Sequence, residues 1–315
     1  MGASLFWGVG DYLLALVTRR LGVLRTLLLA SGLSTLTIFG LFIITGSSLP
    51  THRSDWVVLI VLSLVGSGAF TLIATALKAG PVSIVSPIIA AAASVIVVLA
   101  LVIHGEELST LESLGVLGAI FGVVLTSIDL RAPVHAGVAE AVVLIPKLGA
   151  EEFSGVGETP GADALKGGSD VPLRRKLGKG PALAIIASVT IGVVTFYSGV
   201  YAQRLGWVIP ALVGRVTLLA VYVGGVAVSR ASFKGVPFRM IVFGSFVGLI
   251  EAGGFLSFSR GAEVGLISIV AAVSAMAPLF TLVLGVWFLG ERPAPNQLLG
   301  ASIVIASLVV LGLGG

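Results

Sequence analysis

The sequence predicts an all-α membrane protein with ten transmembrane helices arranged as two inverted five-helix repeats. Composition is the first observation behind that prediction. Of 315 residues, 57% are hydrophobic and 11% charged, where an ordinary soluble domain carries about 25% charged residues. Mean hydropathy is +1.12. The second observation is that the apolar residues fall into ten runs. Each approaches the roughly 20 residues that a helix needs to cross about 30 Å of hydrocarbon. The third is that the chain is written twice.

The repeat is read from a few fixed points. Ser83-Ile84-Val85 returns as Ser268-Ile269-Val270, Gly105-Glu106 as Gly290-Glu291, and Gly115 as Gly300, all at one constant offset. Upstream, Arg19-Arg20-Leu21-Gly22 returns as Gln203-Arg204-Leu205-Gly206, and Gly8 as Gly192. Register holds across helices and loops, so the repeat is a structural unit and not chance composition. An odd number of spans per copy makes the two copies face opposite ways in the bilayer, the inverted-repeat logic of many secondary transporters.

Taken in order, the spans run near 3–18, 26–46, 56–77, 82–103, 112–128, 181–202, 208–228, 239–259, 264–289 and 297–313. The first is short and carries Asp11. Proline and glycine punctuate the short connections, as at Gly80-Pro81 and between Gly290 and Pro295, where a helix cannot continue. The segment 129–180 is different: rich in glycine, proline and mixed charges, it is expected to be a flexible linker. The division is therefore a first repeat over 1–128, a linker over 129–180, and a second repeat over 181–315.

The chain has no cysteine, which excludes disulfides, thiolate metal sites and cysteine nucleophiles. The formal charge of +4 sits in loops beside apolar runs, so it marks membrane orientation and not nucleic-acid binding. Arg19, Arg20, Arg25, Lys78, Arg230, Lys234, Arg239 and Arg292 fall on one side, and Arg53, Arg204 and Arg260 on the other. The first group is expected to be cytoplasmic, with both termini outside. The opening residues lack a basic stretch, so no cleavable signal peptide is expected. No zincin, nucleophile-elbow or P-loop motif occurs, and His52, His104 and His135 form no metal constellation. Neither an enzyme nor a cofactor or metal site is expected.

Gly105-Glu106 followed by Leu114-Gly115, and Gly290-Glu291 followed by Leu299-Gly300, resemble the signature of the drug/metabolite transporter superfamily, EamA type. Ala76 to Gly80 leading into Val85-Ser86-Pro87, and Phe6-Trp7-Gly8, extend the resemblance over both halves. It implies ten spans around a central cavity open to one side at a time. Small metabolites are the implied cargo: amino acids, organic cations or nucleotide-linked compounds. It also implies cytoplasmic termini, opposite to the loop charges, and a shorter linker than the one here.

Ionisable residues inside the spans are the candidate site. A charge at the bilayer centre costs about 2.5–3.5 kcal/mol on insertion scales and is usually functional. Asp11 lies in the first span, four residues from Trp7 and so on the same helical face. Glu251 lies mid-span among Gly248, Gly253 and Gly254, and Arg215 lies within the seventh span. These three, with Trp7, Tyr12 and Tyr197, are the candidate substrate- or proton-binding residues. A fixed ion pair between Arg215 and one acid is the structural alternative. Neither acid recurs at its partner position, where Thr195 and Ala69 stand.

Gly105, Glu106, Gly115, Gly290, Glu291 and Gly300 are read as structural. Each glutamate is placed to satisfy free N–H groups at the start of the helix that follows it. Pro87 and Pro278 are expected to interrupt the fourth and ninth spans. The pairs Gly118/Gly122 and Gly244/Gly248 are expected to pack helices closely within one chain.

The sequence therefore reads as a plasma-membrane secondary transporter of a small polar or cationic metabolite, working by alternating access with proton-coupled export. Its partners are a small-molecule substrate, the lipid bilayer and protons, with no nucleic acid and a monomer favoured. The alternatives are an uncoupled uniporter or exchanger of the same fold, and a non-transporting scaffold or lipid-handling protein. A polar midplane cavity separates the transporter readings from the scaffold.

Overall fold

A computed structural model describes residues 2–79, 85, 88–127, 179–280, 283 and 294–314. Glu291, Gly290, Pro87 and nearly all of the segment 129–180 lie outside the described residues. Among the described residues ten helices follow one another: α1 Gly2–Leu21, α2 Val23–Thr45, α3 Arg53–Ala79, α4 Ala92–Val102, α5 Thr110–Ser127, α6 Lys179–Leu205, α7 Val208–Ser229, α8 Phe238–Val264, α9 Ile267–Ser274 and α10 Pro295–Gly314. Six of them (α2, α3, α6, α7, α8 and α10) are long and apolar enough to cross a bilayer unaided. Leucine and alanine supply that apolarity with little loss of helix propensity, and valine and isoleucine at a small cost per residue. Backbone groups in hydrocarbon must also be satisfied within the segment, which leaves the helix as the economical solution.

Packing follows the repeat. α5 lies along α10, α4 against α9, and α2 against α7, while α3 packs on α6 as α8 packs on α1. Exchanging the halves maps each of these contacts onto itself or onto another in the set. Side chains such as Ile44 (84% exposed) and Leu36 (70% exposed) face outward, a distribution that suits lipid and would be costly in water.

The duplicated glycines have identifiable work. Gly22 and Gly206 adopt positive φ of 82° and 86°, and their N–H groups close on Thr18 O and Ala202 O at 3.0 and 2.9 Å. Each turns the chain between consecutive helices with no room for a longer loop, a conformation costly for a residue with a Cβ. Gly115, Gly118 and Gly122 of α5 face Leu311, Ser307 and Val304 of α10, and Gly300 faces Thr126. α10 also sends Asn296 Nδ2 to Leu125 O at 3.1 Å. The expected intrachain packing by Gly244 and Gly248 takes the same form, against Leu29 and Ala30 of α2.

The fourth helix of each half is interrupted. The helical path from Ile88 turns at Ala91, and that from Ile267 turns at Ala275-Met276 before resuming toward Phe280. Ala91 and Met276 are equivalent positions in the two repeats. In the second copy Pro278 lacks the N–H that would continue the ladder. Across the molecule, Gly8 of α1 meets the Ala277 carbonyl, and Gly192 of α6 meets the Ala92 carbonyl. These are again equivalent residues, so each half lays a glycine on the broken helix of the other.

A methyl group at Gly248 would be driven into the Ala30 backbone carbonyl, whereas one at Gly224 would meet no other element among the described residues within 4 Å. Gly248→Ala is expected to destabilise the detergent-solubilised protein by about 1–3 kcal/mol. Gly224→Ala is expected to leave stability unchanged or raise it by up to about 1 kcal/mol. Thermal unfolding of the two variants beside wild type checks both signs.

Candidate functional site

A cavity of about 190 Å³ lies where the two halves meet. By the same measure one water occupies about 10–15 Å³, so a small metabolite fits. Its walls come from α1, α3, α4, α6, α7, α8 and α9. Most of the lining is aliphatic or alanine, including Ala92, Ala93, Ala271, Ala275 and Ala277 beside the helix breaks. Small residues there keep the centre open between interrupted helices.

Charge enters this apolar chamber at three points: Asp11, Arg215 and Glu251 all line it. Glu251 is 4% exposed and Arg215 8%. α8 brings Glu251 against α1 at Gly10, adjacent to Asp11, where a side chain on residue 10 would displace the carboxylate. Glu251 lies within electrostatic reach of both Asp11 and Arg215. Among the described residues, Arg215 and Glu251 form no ion pair within 4 Å, and Glu251 Oε1 has no hydrogen-bond partner. A carboxylate oxygen held so far from water without a partner is expensive to keep charged.

The helix carrying Arg215 is tied to its neighbours by hydroxyl hydrogen bonds. Thr35 Oγ1 of α2 donates to Arg215 O at 3.0 Å and reaches Ser31 O at 2.7 Å. About two turns of helix away, the buried Tyr222 hydroxyl donates to Ser67 O and bonds Thr71 Oγ1, both at 3.1 Å. This ties α7 to α3 beside the cavity. Trp7 lines the chamber next to Asp11 and stacks on Phe258 of α8, ring centres 5.9 Å apart. Gly254 gives the indole its room.

Four of the six candidate binding residues thus meet: Trp7, Asp11, Arg215 and Glu251. Tyr12 and Tyr197 stand apart from the lining. Tyr197 packs edge-on against Phe196, centroids 5.0 Å apart, in the core around α4 and α9. Sequence reasoning did not single out the hydroxyl-bearing wall of Ser63, Thr195, Ser198 and Ser274. Ser63 and Ser198 donate to the carbonyls of Leu59 and Val194, four residues back, at 2.6 and 2.8 Å. Their oxygens remain available as acceptors toward the cavity. Thr195 is the repeat partner of Asp11, and that equivalence was the available signal.

Glu106 satisfies a helix start, but not the one its sequence neighbourhood indicates. α5 is closed by its own reciprocal cap: Ser109 N donates to Glu112 Oε2 at 2.7 Å, and Glu112 N donates to Ser109 Oγ at 3.2 Å. Glu106 instead reaches the start of α9, in the other half. It accepts from Ile267 N at 2.7 Å, Ser268 N at 3.0 Å and Ser268 Oγ at 2.6 Å. Gly105, at φ 72°, turns the chain so that the carboxylate points across. The glycine-glutamate and Ser-Ile-Val portions of the repeated signature therefore touch each other between halves.

Known proteins agree with this architecture. A solved structure described as "Crystal structure of protein" is 18% identical, covers 99% of this chain and 97% of its own, and superposes with a TM-score of 0.63. At that identity the likeness concerns the fold alone. No curated protein matches the chain. The model of the EamA-like transporter family matches residues 1–128 and 178–313. The chain belongs to the EamA-like transporter family of the drug/metabolite transporter superfamily, and is a multi-pass integral membrane protein.

Proposed function

We propose that this transporter moves a small polar or cationic metabolite, amino-acid-like or an organic cation, out across the plasma membrane in exchange for protons. The observation that carries the reading is the meeting of Asp11, Glu251 and Arg215 in one apolar chamber between the halves. An apolar wall with a few convergent charges is the usual chemistry of a small-ligand site. Two acids and one base suit a ligand with an ammonium group, with or without a carboxylate: Arg215 faces the anion, Asp11 and Glu251 the cation.

Coupling follows from competition. A proton and an ammonium group that neutralise the same buried acid exclude each other, so the carrier returns with one after releasing the other. Inverted repeats supply the motion, because the halves can exchange conformations about a midplane site. A scaffold has no use for ionisable groups around an open centre, given what burying them costs.

Proteoliposomes under an imposed pH gradient, with a panel of amino acids, polyamines and organic cations, test the proposal. Wild type is expected to move at least one compound against its gradient. Glu251→Gln or Asp11→Asn is expected to abolish the uphill component while downhill exchange persists. Uphill transport undiminished by the double substitution sinks the proton-coupled reading. Downhill movement alone in wild type favours an uncoupled carrier.

Ligand binding should also register as stability. A compound at about 100 times its Kd raises folding stability by about 2.7 kcal/mol. A thermal-shift screen on purified protein is expected to find such compounds among ammonium-bearing molecules. Arg215→Gln is expected to lose the shift for zwitterions and keep it for simple organic cations.

A further inference from the structure

At one end of the bundle, the end where α1 begins and α10 finishes, three polar links join the two halves and a fourth ties the second half to itself beside them. Asp55, at the start of α3, is 1% exposed and pairs with Arg204 near the end of α6 at 3.2 Å. The neighbouring Gln203 bonds His104, in the turn after α4, at 3.0 Å, and donates to Gly265 O between α8 and α9 at 3.3 Å. Glu106 then clasps the first two residues of α9 through three hydrogen bonds. Every partner in this belt lies in a turn or at a helix end on the same face. Apart from the Gln203–Gly265 bond, the belt joins residues of opposite repeats, far apart in sequence.

We propose that this belt is the closed gate on that face and that Glu106 is its latch. The inference rests on the alternating-access reading of the cavity. Glu106 seats a negative charge on the N-terminal end of α9, where helix dipole and free N–H groups hold it most strongly. α9 leads from Ser268 directly to Ala271, Ser274 and Ala275 in the cavity wall. Six residues separate Ser268 from Ser274, about 9 Å along a helix. Displacement at the latch therefore reaches the site through one short rigid element. Hydrogen bonds at a half-buried rim also suit a reversible closure, since water can replace each partner when the halves separate.

The chain has no cysteine, so single thiols can report gate position without background. Ser274→Cys would be labelled in sealed vesicles with a membrane-impermeant methanethiosulfonate added to either side. No substrate is needed. With Glu106→Gln in addition, labelling from the latch face is expected to rise about tenfold, since a charge-assisted clasp has been weakened. Glu112→Gln, which alters a cap inside one half, should leave the rate unchanged. An unchanged rate for Glu106→Gln in a monodisperse protein overturns the latch, and leaves the transport reading intact.

Should Glu106→Gln fail to fold, Glu106→Cys with Ser268→Cys provides the second arm. A short reversible bis-methanethiosulfonate bridge between the two should block labelling of the cavity thiol from that face, and reduction should restore it. Labelling that persists through the bridge also overturns the proposal.

Discussion

The close approach of backbones between halves is the constraint on which this structure rests. Gly8 against the Ala277 carbonyl and Gly192 against the Ala92 carbonyl bring α1 and α6 onto the interrupted helices of the opposite repeat. A side chain at either glycine would hold those helices apart. In hydrocarbon, backbone that leaves the helical ladder is tolerated only where protein buries it or where it lines a cavity. Here the two breaks, at equivalent positions, do line one. The chamber is thus a consequence of how the two copies are joined.

A symmetric frame carries an asymmetric site. Contacts between helices come in equivalent pairs, and the turn glycines Gly22 and Gly206 share nearly the same φ. The charged residues do not follow that symmetry: Asp11 faces the cavity where its partner is Thr195, and Glu251 and Arg215 each come from one half alone. Scaffold symmetry allows two opposite-facing states of similar energy, as alternation requires. On the proposed reading, single-copy charges would give a ligand a defined orientation within them. The two kinds of residue are under different physical demands, close packing for one and electrostatic recognition for the other.

Polarity is distributed by depth. The outer surface is apolar, the middle holds three ionisable residues, and the rim is tied by hydrogen bonds and the Asp55–Arg204 pair. The rim is the only level where water can exchange with protein partners at small net cost. Contacts at the level of Gly248 and Ala30 are van der Waals contacts between backbones and have no such exchange. Reversible movement is therefore easiest at the ends and hardest at the packed helix crossings.

Span number, duplication and opposed orientation were all legible in the chain, because hydrocarbon thickness dictates run length and repeated glycines mark repeated backbone geometry. So were three ionisable residues set in apolar runs, since burying charge is costly enough to stand out from composition. The sequence did not reveal which of its polar residues would meet. Tyr12 and Tyr197 look as eligible as Trp7, yet only helix rotation decides that Trp7 faces the chamber. Ser63 and Ser198 are inconspicuous because a hydroxyl bonded four residues back costs little anywhere in a helix. Glu106 shows the limit most plainly. Local reasoning assigns a carboxylate to the nearest helix start, but Ser109 and Glu112 already close that one. The start of α9, 161 residues away, is brought to Glu106 by the packing of one repeat on the other. That proximity exists only in three dimensions.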